Sequence, residues 1–214
     1  MTTDFFPTLN EDVLLEPASL INGADQSDLT ISAGAGDATI TFQGGLAGSS
    51  NIIGVYLIGD DGEIQSPKIV FSNAKQTDVG EAVGLHEIYN KELLANQKFG
   101  LFLIEHGAVK NAGLGLDRSS ALKFFKDGTR DAATIKDESP PVLVLDETEP
   151  VLGQIYHTAD PNPEARNSDS RNPNPNPLNP DGKEHVVSGL DVDNLNQGIK
   201  FGFEDLIDRA TAPD

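Results

Sequence analysis

The sequence predicts an all-β domain, an antiparallel sandwich or jelly roll with one short helix and one long Pro/Asn-rich loop. Three observations lead there. About ten short apolar segments, several of them alternating, recur along the chain between turn residues. Composition points the same way: 13 prolines and 21 glycines against 6% aromatics favour short strands and turns over helices. Finally, Asp-Gly and Gly-rich tetrads stand between alternating segments, where a hairpin needs a residue that accepts positive φ.

Residues 1–26 read as an irregular N-terminal arm with apolar anchors at Phe5, Phe6, Leu14, Leu15, Leu20 and Ile21, and residues 27–214 as the domain. Leu29-Thr-Ile31 and Ala38-Thr-Ile-Thr-Phe42 alternate across Gly34-Ala-Gly36-Asp37, which predicts a hairpin. Ile52 to Ile58 is nearly all apolar, as a central strand would be, and Asp60-Asp-Gly62 turns it into Glu63 to Phe71. Leu85 to Leu94 carries Leu85, Ile88 and Tyr89 on one face and predicts the short helix. Phe99 to Ile104 is a second core strand. Gly54 and Gly100 interrupt the two central strands and mark bulges or close backbone approach. Ala121 to Phe125 and Ala132 to Ile135 flank Lys126-Asp-Gly128 as a second hairpin, with a short helix over 117–126 as the alternative. Pro141 to Leu145, Val151 to Tyr156, Val186-Val187 and Ile199 to Phe203 complete the strands. Between them, Pro161 to Pro180 contains Asn172-Pro-Asn-Pro-Asn-Pro177 and reads as a solvated excursion.

The charge balance narrows the partners. With 34 acidic against 15 basic residues, the chain repels nucleic acid and anionic membranes, and self-repulsion favours bound divalent cations. No cysteine is present, so disulfides and thiolate metal sites are excluded. The N-terminus lacks the basic and apolar regions of a secretory signal peptide, and no apolar run approaches the ~20 residues of a membrane-spanning helix.

Three acidic groupings suit a hard cation. Calcium collects about six to eight carboxylate and carbonyl oxygens. The first grouping is His157-Thr-Ala-Asp160 with Asn179-Pro-Asp181-Gly182 and His185, on either side of the proline loop. The second is Glu204-Asp205, where an alternating strand meets a loop, with Asp208 and Asp214 downstream. The third is Asp60-Asp-Gly-Glu63 at the first hairpin tip. The expected ligands are Asp160, Asn179, Asp181, Glu204 and Asp205, with His157 and His185 orienting an acid or a carbonyl. His86 and His106 read as surface residues. Asp191 to Gly198 resembles an EF-hand loop but fails at Leu195 and at Gly202, which stands where the twelfth-position Glu belongs.

Catalytic signals are absent. There is no G-x-S-x-G, Walker loop, dinucleotide fingerprint or H-E-x-x-H, and Glu204 and Asp205 would point to opposite faces of a strand. The chain does not read as an enzyme.

Several segments in fixed order then bring a family into view: Gly54-Val-Tyr-Leu-Ile with Asp61-Gly-Glu-Ile, Phe99-Gly-Leu-Phe-Leu-Ile, Ile155-Tyr-His-Thr-Ala-Asp, Asn179-Pro-Asp-Gly-Lys-Glu-His and Phe201-Gly-Phe-Glu-Asp-Leu. Over roughly residues 45–210 the set resembles domain of unknown function 4114. The resemblance implies a β-rich, calcium-dependent module of large acidic bacterial exoproteins of the repeats-in-toxin kind, exported by type I secretion. Such domains continue past the Glu-Asp-Leu loop with an Asp-rich segment and a closing strand. Here Asp208-Arg209 begins something similar, and Ala-Thr-Ala-Pro-Asp replaces the rest. The final strand is therefore expected to be missing, either because the chain is a fragment or because a partner donates the strand.

Together these expectations describe a calcium-stabilised structural or adhesive module of an extracellular bacterial surface, biofilm matrix or filament protein. A calcium-dependent carbohydrate-binding module and a self-assembling subunit using donated strands are the alternatives, with glycans or further copies of the chain as partners.

Overall fold

The structure is a computed structural model that describes residues 31–32, 39–42, 44, 50–89, 97–159, 176–180, 186–190 and 199–203. The arm 1–26, the EF-hand-like segment 191–198 and the end of the expected helix after Tyr89 lie outside the described residues.

In chain order the strands are β1 (Ile31–Ser32), β2 (Thr39–Thr41), β3 (Ile52–Ile58), β4 (Ile64–Phe71), β5 (Ala82–Gly84), β6 (Lys98–Ile104), β7 (Leu122–Phe125), β8 (Val142–Leu145), β9 (Glu149–Pro150), β10 (Ile155–His157), β11 (Val186–Leu190) and β12 (Ile199–Phe203). Among the described residues two short helices accompany them, α1 (Leu85–Tyr89) and α2 (Gly107–Lys110). Every named strand pairing is antiparallel, so the described chain is all-β. The second helix was not expected; at one turn it has no periodicity to read. The Asn111 side chain fastens its C-terminus by donating to the Gly107 carbonyl (2.9 Å).

The central sheet runs β1-β6-β3-β4, and β10 shares the outer edge of β6 with β1. β3 and β6 pair along their whole length, from Ile52↔Ile104 to Ile58↔Lys98. The Asp-Gly turn forms between β3 and β4 as expected. Gly62 adopts φ 90°, and the Asp61 carboxylate accepts the Glu63 amide at 3.0 Å.

Both faces of this sheet are buried, which is why β3 and β6 are apolar almost throughout. On one face Ile52, Tyr56, Ile58, Phe102 and Ile104 pack with Leu122, Phe124 and Leu143 of the three-stranded sheet β7-β8-β9 and with Leu178. On the other, Val55, Leu57, Phe99 and Leu101 pack with Val83, Leu85 and Ile88 of β5 and α1.

The interrupting glycines serve ring packing. A Cβ on Gly100 would stand 2.6 Å from the Tyr56 ring, and one on Gly54 would overlap the Phe102 ring. The register of β3 against β4 shifts beside Gly54, so close approach and a bulge coincide there.

Two expected hairpins pair differently. β1 joins β6 through Ile31↔Phe99, and β2 joins β5 through Ile40↔Val83, so the first hairpin does not form. Alternation specifies a strand, but it carries no address for the partner. The Lys126-Asp-Gly128 turn does form, with Gly128 at φ 71° and one bridge, Phe125↔Ala132. Its return arm then leaves toward the β3–β4 turn, where Ile64 donates to the Ala133 carbonyl (2.8 Å) and Ile135 to the Gly62 carbonyl (2.8 Å). This lets Ile135 enter the core, and β8 takes the place beside β7. No helix forms over 117–126.

Candidate functional site

The described part of the first acidic grouping centres on β10 and the turn 176–179. In β10 the His157 position pairs with Phe102, which pairs with Gly54, so the three share one row across the sheet. The row faces the core. The His157 ring lies 5.7 Å from the Tyr56 ring and 5.2 Å from the Phe124 ring, centroid to centroid. Phe102 stacks on Tyr56 at 6.2 Å and meets Phe124 edge-on at 5.4 Å. Four rings thus form one cluster, and glycine at positions 54 and 100 makes the room for it.

His157 is fully buried, and among the described residues neither ring nitrogen has a hydrogen-bond partner. Burial lowers its pKa to about 3, because the imidazolium would lose its hydration with nothing to replace it. The ring is therefore neutral at ordinary pH. The expected orienting role belongs instead to its backbone: the His157 amide donates to Asn179 Oδ1 at 2.7 Å.

That bond is one part of a clasp. Asn176 Nδ2 donates to the Ala159 carbonyl (3.0 Å), while its Oδ1 accepts the Leu178 amide (3.1 Å) and its carbonyl the Asn179 amide (3.1 Å). Asn-Pro-Leu-Asn is thus a turn with Asn first and Pro second, positions those residues favour. It inserts Leu178 into the core, where Asn176, Leu178 and Asn179 are almost wholly buried. Thr158 completes the arrangement. It ends β10 by turning its hydroxyl onto Leu101, accepting that amide at 2.8 Å and donating to its carbonyl at 3.3 Å.

The end of the proline segment is therefore a buried anchor, whereas the sequence suggested a solvated excursion. Asn176, Leu178 and Thr158 were missed. The available signal was Leu178, a lone large apolar residue behind an Asn-Pro pair. Replacing Asn179 with alanine strands the buried His157 amide and is expected to cost ~1–3 kcal/mol in urea unfolding, while Pro180→Ala on the exposed side stays within ~0.5 kcal/mol.

The expected ligands divide as follows. Asn179 stands in the clasp with its side-chain oxygen already accepting one amide. Asp160, Asp181, His185, Glu204 and Asp205 lie outside the described residues. At the hairpin tip Asp60 and Asp61 are exposed, Glu63 is half-buried, and Asp61 is occupied with the turn. Among the described residues no group of three or more His, Asp or Glu side chains could hold a metal ion. His86 and His106 are exposed, as expected, whereas Tyr56 and Tyr156 are fully buried and Tyr89 is half-buried. Among the described residues no helix is long and apolar enough to cross a membrane. Comparison with known families, curated proteins and solved structures finds no match to this chain.

Proposed function

We propose that this chain is a calcium-stabilised, non-enzymatic β-sandwich module of jelly-roll type, akin to domain of unknown function 4114, with a structural or adhesive role in an extracellular bacterial surface, matrix or filament protein. The clasp is the observation that carries this. Asp160 is the residue after Ala159 and Asp181 the second after Asn179, so both acids leave a pair of segments held together by buried hydrogen bonds. Anchoring of this kind reduces the entropy lost when the two carboxylates gather on one ion. The net charge of −19 supplies the electrostatic reason, since neutralising crowded acids favours the compact state. Glu204 and Asp205 complete the ligand set, and Asn179 offers its remaining oxygen lone pair. A glycan-binding role has less support, because no tyrosine presents an exposed stacking face.

The ion stabilises by binding the folded form alone. At a free concentration of about 100 Kd the gain is roughly 2.7 kcal/mol, or ~5–11 °C in Tm for a chain of this size. Thermal unfolding in calcium and in chelator measures it, and an unchanged midpoint defeats the proposal. The double variant Asp160→Asn/Asp181→Asn is expected to lose most of the calcium increment while keeping the Tm seen in chelator.

A further inference from the structure

The sheet β7-β8-β9 has a second face. Leu122, Phe124 and Leu143 enter the core, so alternation turns Lys123, Phe125, Val142 and Val144 the other way, with Lys123 paired to Val144 and Phe125 to Val142. On that face Phe125, Val142 and Val144 floor a groove of about 170 Å³. Two tight turns wall it. One is Lys126 to Arg130, leaving β7; the other joins β8 to β9 and is closed by the Thr148 amide on the Leu145 carbonyl (3.1 Å). In the second turn Asp146 and Glu147 are both left-handed, at φ 49° and 60°, a conformation that glutamate rarely adopts.

Arg130 joins the two walls. Its Nη1 donates to the Glu147 carbonyl at 2.9 Å, and among the described residues it has no carboxylate partner. Glu147, the acid that lines the groove, is drawn to the other side, with Oε1 3.6 Å from Lys123 Nζ. Lys126 lies at the rim with Nζ 3.3 Å from Asp137 Oδ1. Asp127 and Asp131 belong to the same turn as Arg130 but do not line the groove. A guanidinium carries five N–H donors in a planar fork that matches a carboxylate. The exposed Arg130 thus brings such a fork to an apolar floor, on a chain whose acids outnumber its bases 34 to 15.

We infer that this groove binds a small monocarboxylic acid with an apolar body, the carboxylate on Arg130 and the body on Phe125, Val142 and Val144. Size, floor and charge select that class. The volume is below the ~300–1,000 Å³ of sites for drug-sized ligands, so it suits one ring or one short branched chain. The floor supplies apolar contact and no polar side chain, which leaves the anionic end to the rim. Finally, a chain of charge −19 repels polyanions at long range, and a ligand with a single negative charge meets the least of that repulsion.

NMR titration of the full chain at fixed ionic strength tests this, with phenylacetate as the acid and phenylacetamide as its uncharged counterpart. Amide signals of residues 128–130 and 142–148 are expected to shift and to saturate with phenylacetate in the millimolar range. Phenylacetamide is expected to bind about ten-fold more weakly, because a hydrogen bond to a charged acceptor is the stronger. Arg130→Gln can still donate to the Glu147 carbonyl; it should weaken phenylacetate about ten-fold and leave phenylacetamide unchanged, whereas a purely structural arginine would alter both alike. Should that variant not fold, Val142→Glu places a like charge in the groove from an exposed position and is expected to abolish phenylacetate binding. Equal affinity for acid and amide, unchanged affinity in the variants, or shifts that never saturate overturn the inference. So does tighter binding of a peptide that ends in phenylalanine with a free carboxylate, which would make the groove a seat for a polypeptide terminus.

Discussion

Replacing His157 with leucine is expected to leave the protein at least as stable at pH 8 and clearly more stable at pH 5. The imidazole is fully buried with neither nitrogen bonded among the described residues, so an apolar side chain of similar volume removes an uncompensated desolvation cost of ~1 kcal/mol or more. The backbone amide that holds Asn179 is kept. The sign of the pH effect follows from the two protonation states. In the unfolded chain the imidazole titrates near pH 6.5, and in the folded chain near 3. Between those values the unfolded state binds a proton that the folded state refuses, so wild-type stability is full above 6.5 and falls as pH drops. The loss approaches roughly 1.4 kcal/mol per pH unit and levels off near pH 3, giving about 2 kcal/mol by pH 5. His157→Leu lacks this loss. Urea unfolding of both proteins at pH 8, 6.5 and 5 measures it, and a constant difference across the three values would show that the ring is hydrated or hydrogen-bonded in solution.

Phe124→Ala is expected to cost the most of any single truncation, ~3–5 kcal/mol. Phe124 is fully buried and meets Tyr56, Phe102 and His157, so its ring joins β7 to both central strands and to β10. Rigid β-sheet walls on either side cannot collapse to refill the space, and the cavity term is therefore large. Against a typical total of ~5–15 kcal/mol this is a substantial fraction. Denaturant midpoints at pH 8 measure it. A loss below ~1.5 kcal/mol would mean that the ring cluster is loosely packed. The same variant opens one side of the His157 enclosure, so its stability should depend less steeply on acid pH than that of wild type.

The two experiments bear on the calcium proposal differently. Clasp and ring cluster are built from neutral groups, and their stability adds to whatever an ion contributes. Chelator should therefore lower Tm in wild type and in His157→Leu by similar amounts.

Much of the architecture could be read from residue order. β3, β4 and β6 stand where continuous or alternating apolar runs predicted them, the Asp60-Asp-Gly62 turn joins the first pair, and glycine at 54 and 100 marks close approach. Local signals carry such features, because a turn or a buried strand depends on residues near it in the chain. The candidate site was legible in part. His157 and Asn179 were singled out, Asn179 as a calcium ligand and His157 as a supporting residue. Their meeting through a backbone amide, and the burial of Asn176 and Leu178, depend on contacts across 17 to 22 residues of chain.

By itself the sequence determined strand content, the main turn, the acid excess and the absence of thiol chemistry, each a property of composition or of short segments. Tertiary structure alone decided which strands pair, that the proline segment ends in the core, and that an imidazole sits buried against two aromatic rings, those of Tyr56 and Phe124. These outcomes depend on which distant surfaces bury one another, and a segment's pattern gives its inward face without naming the partner it will meet.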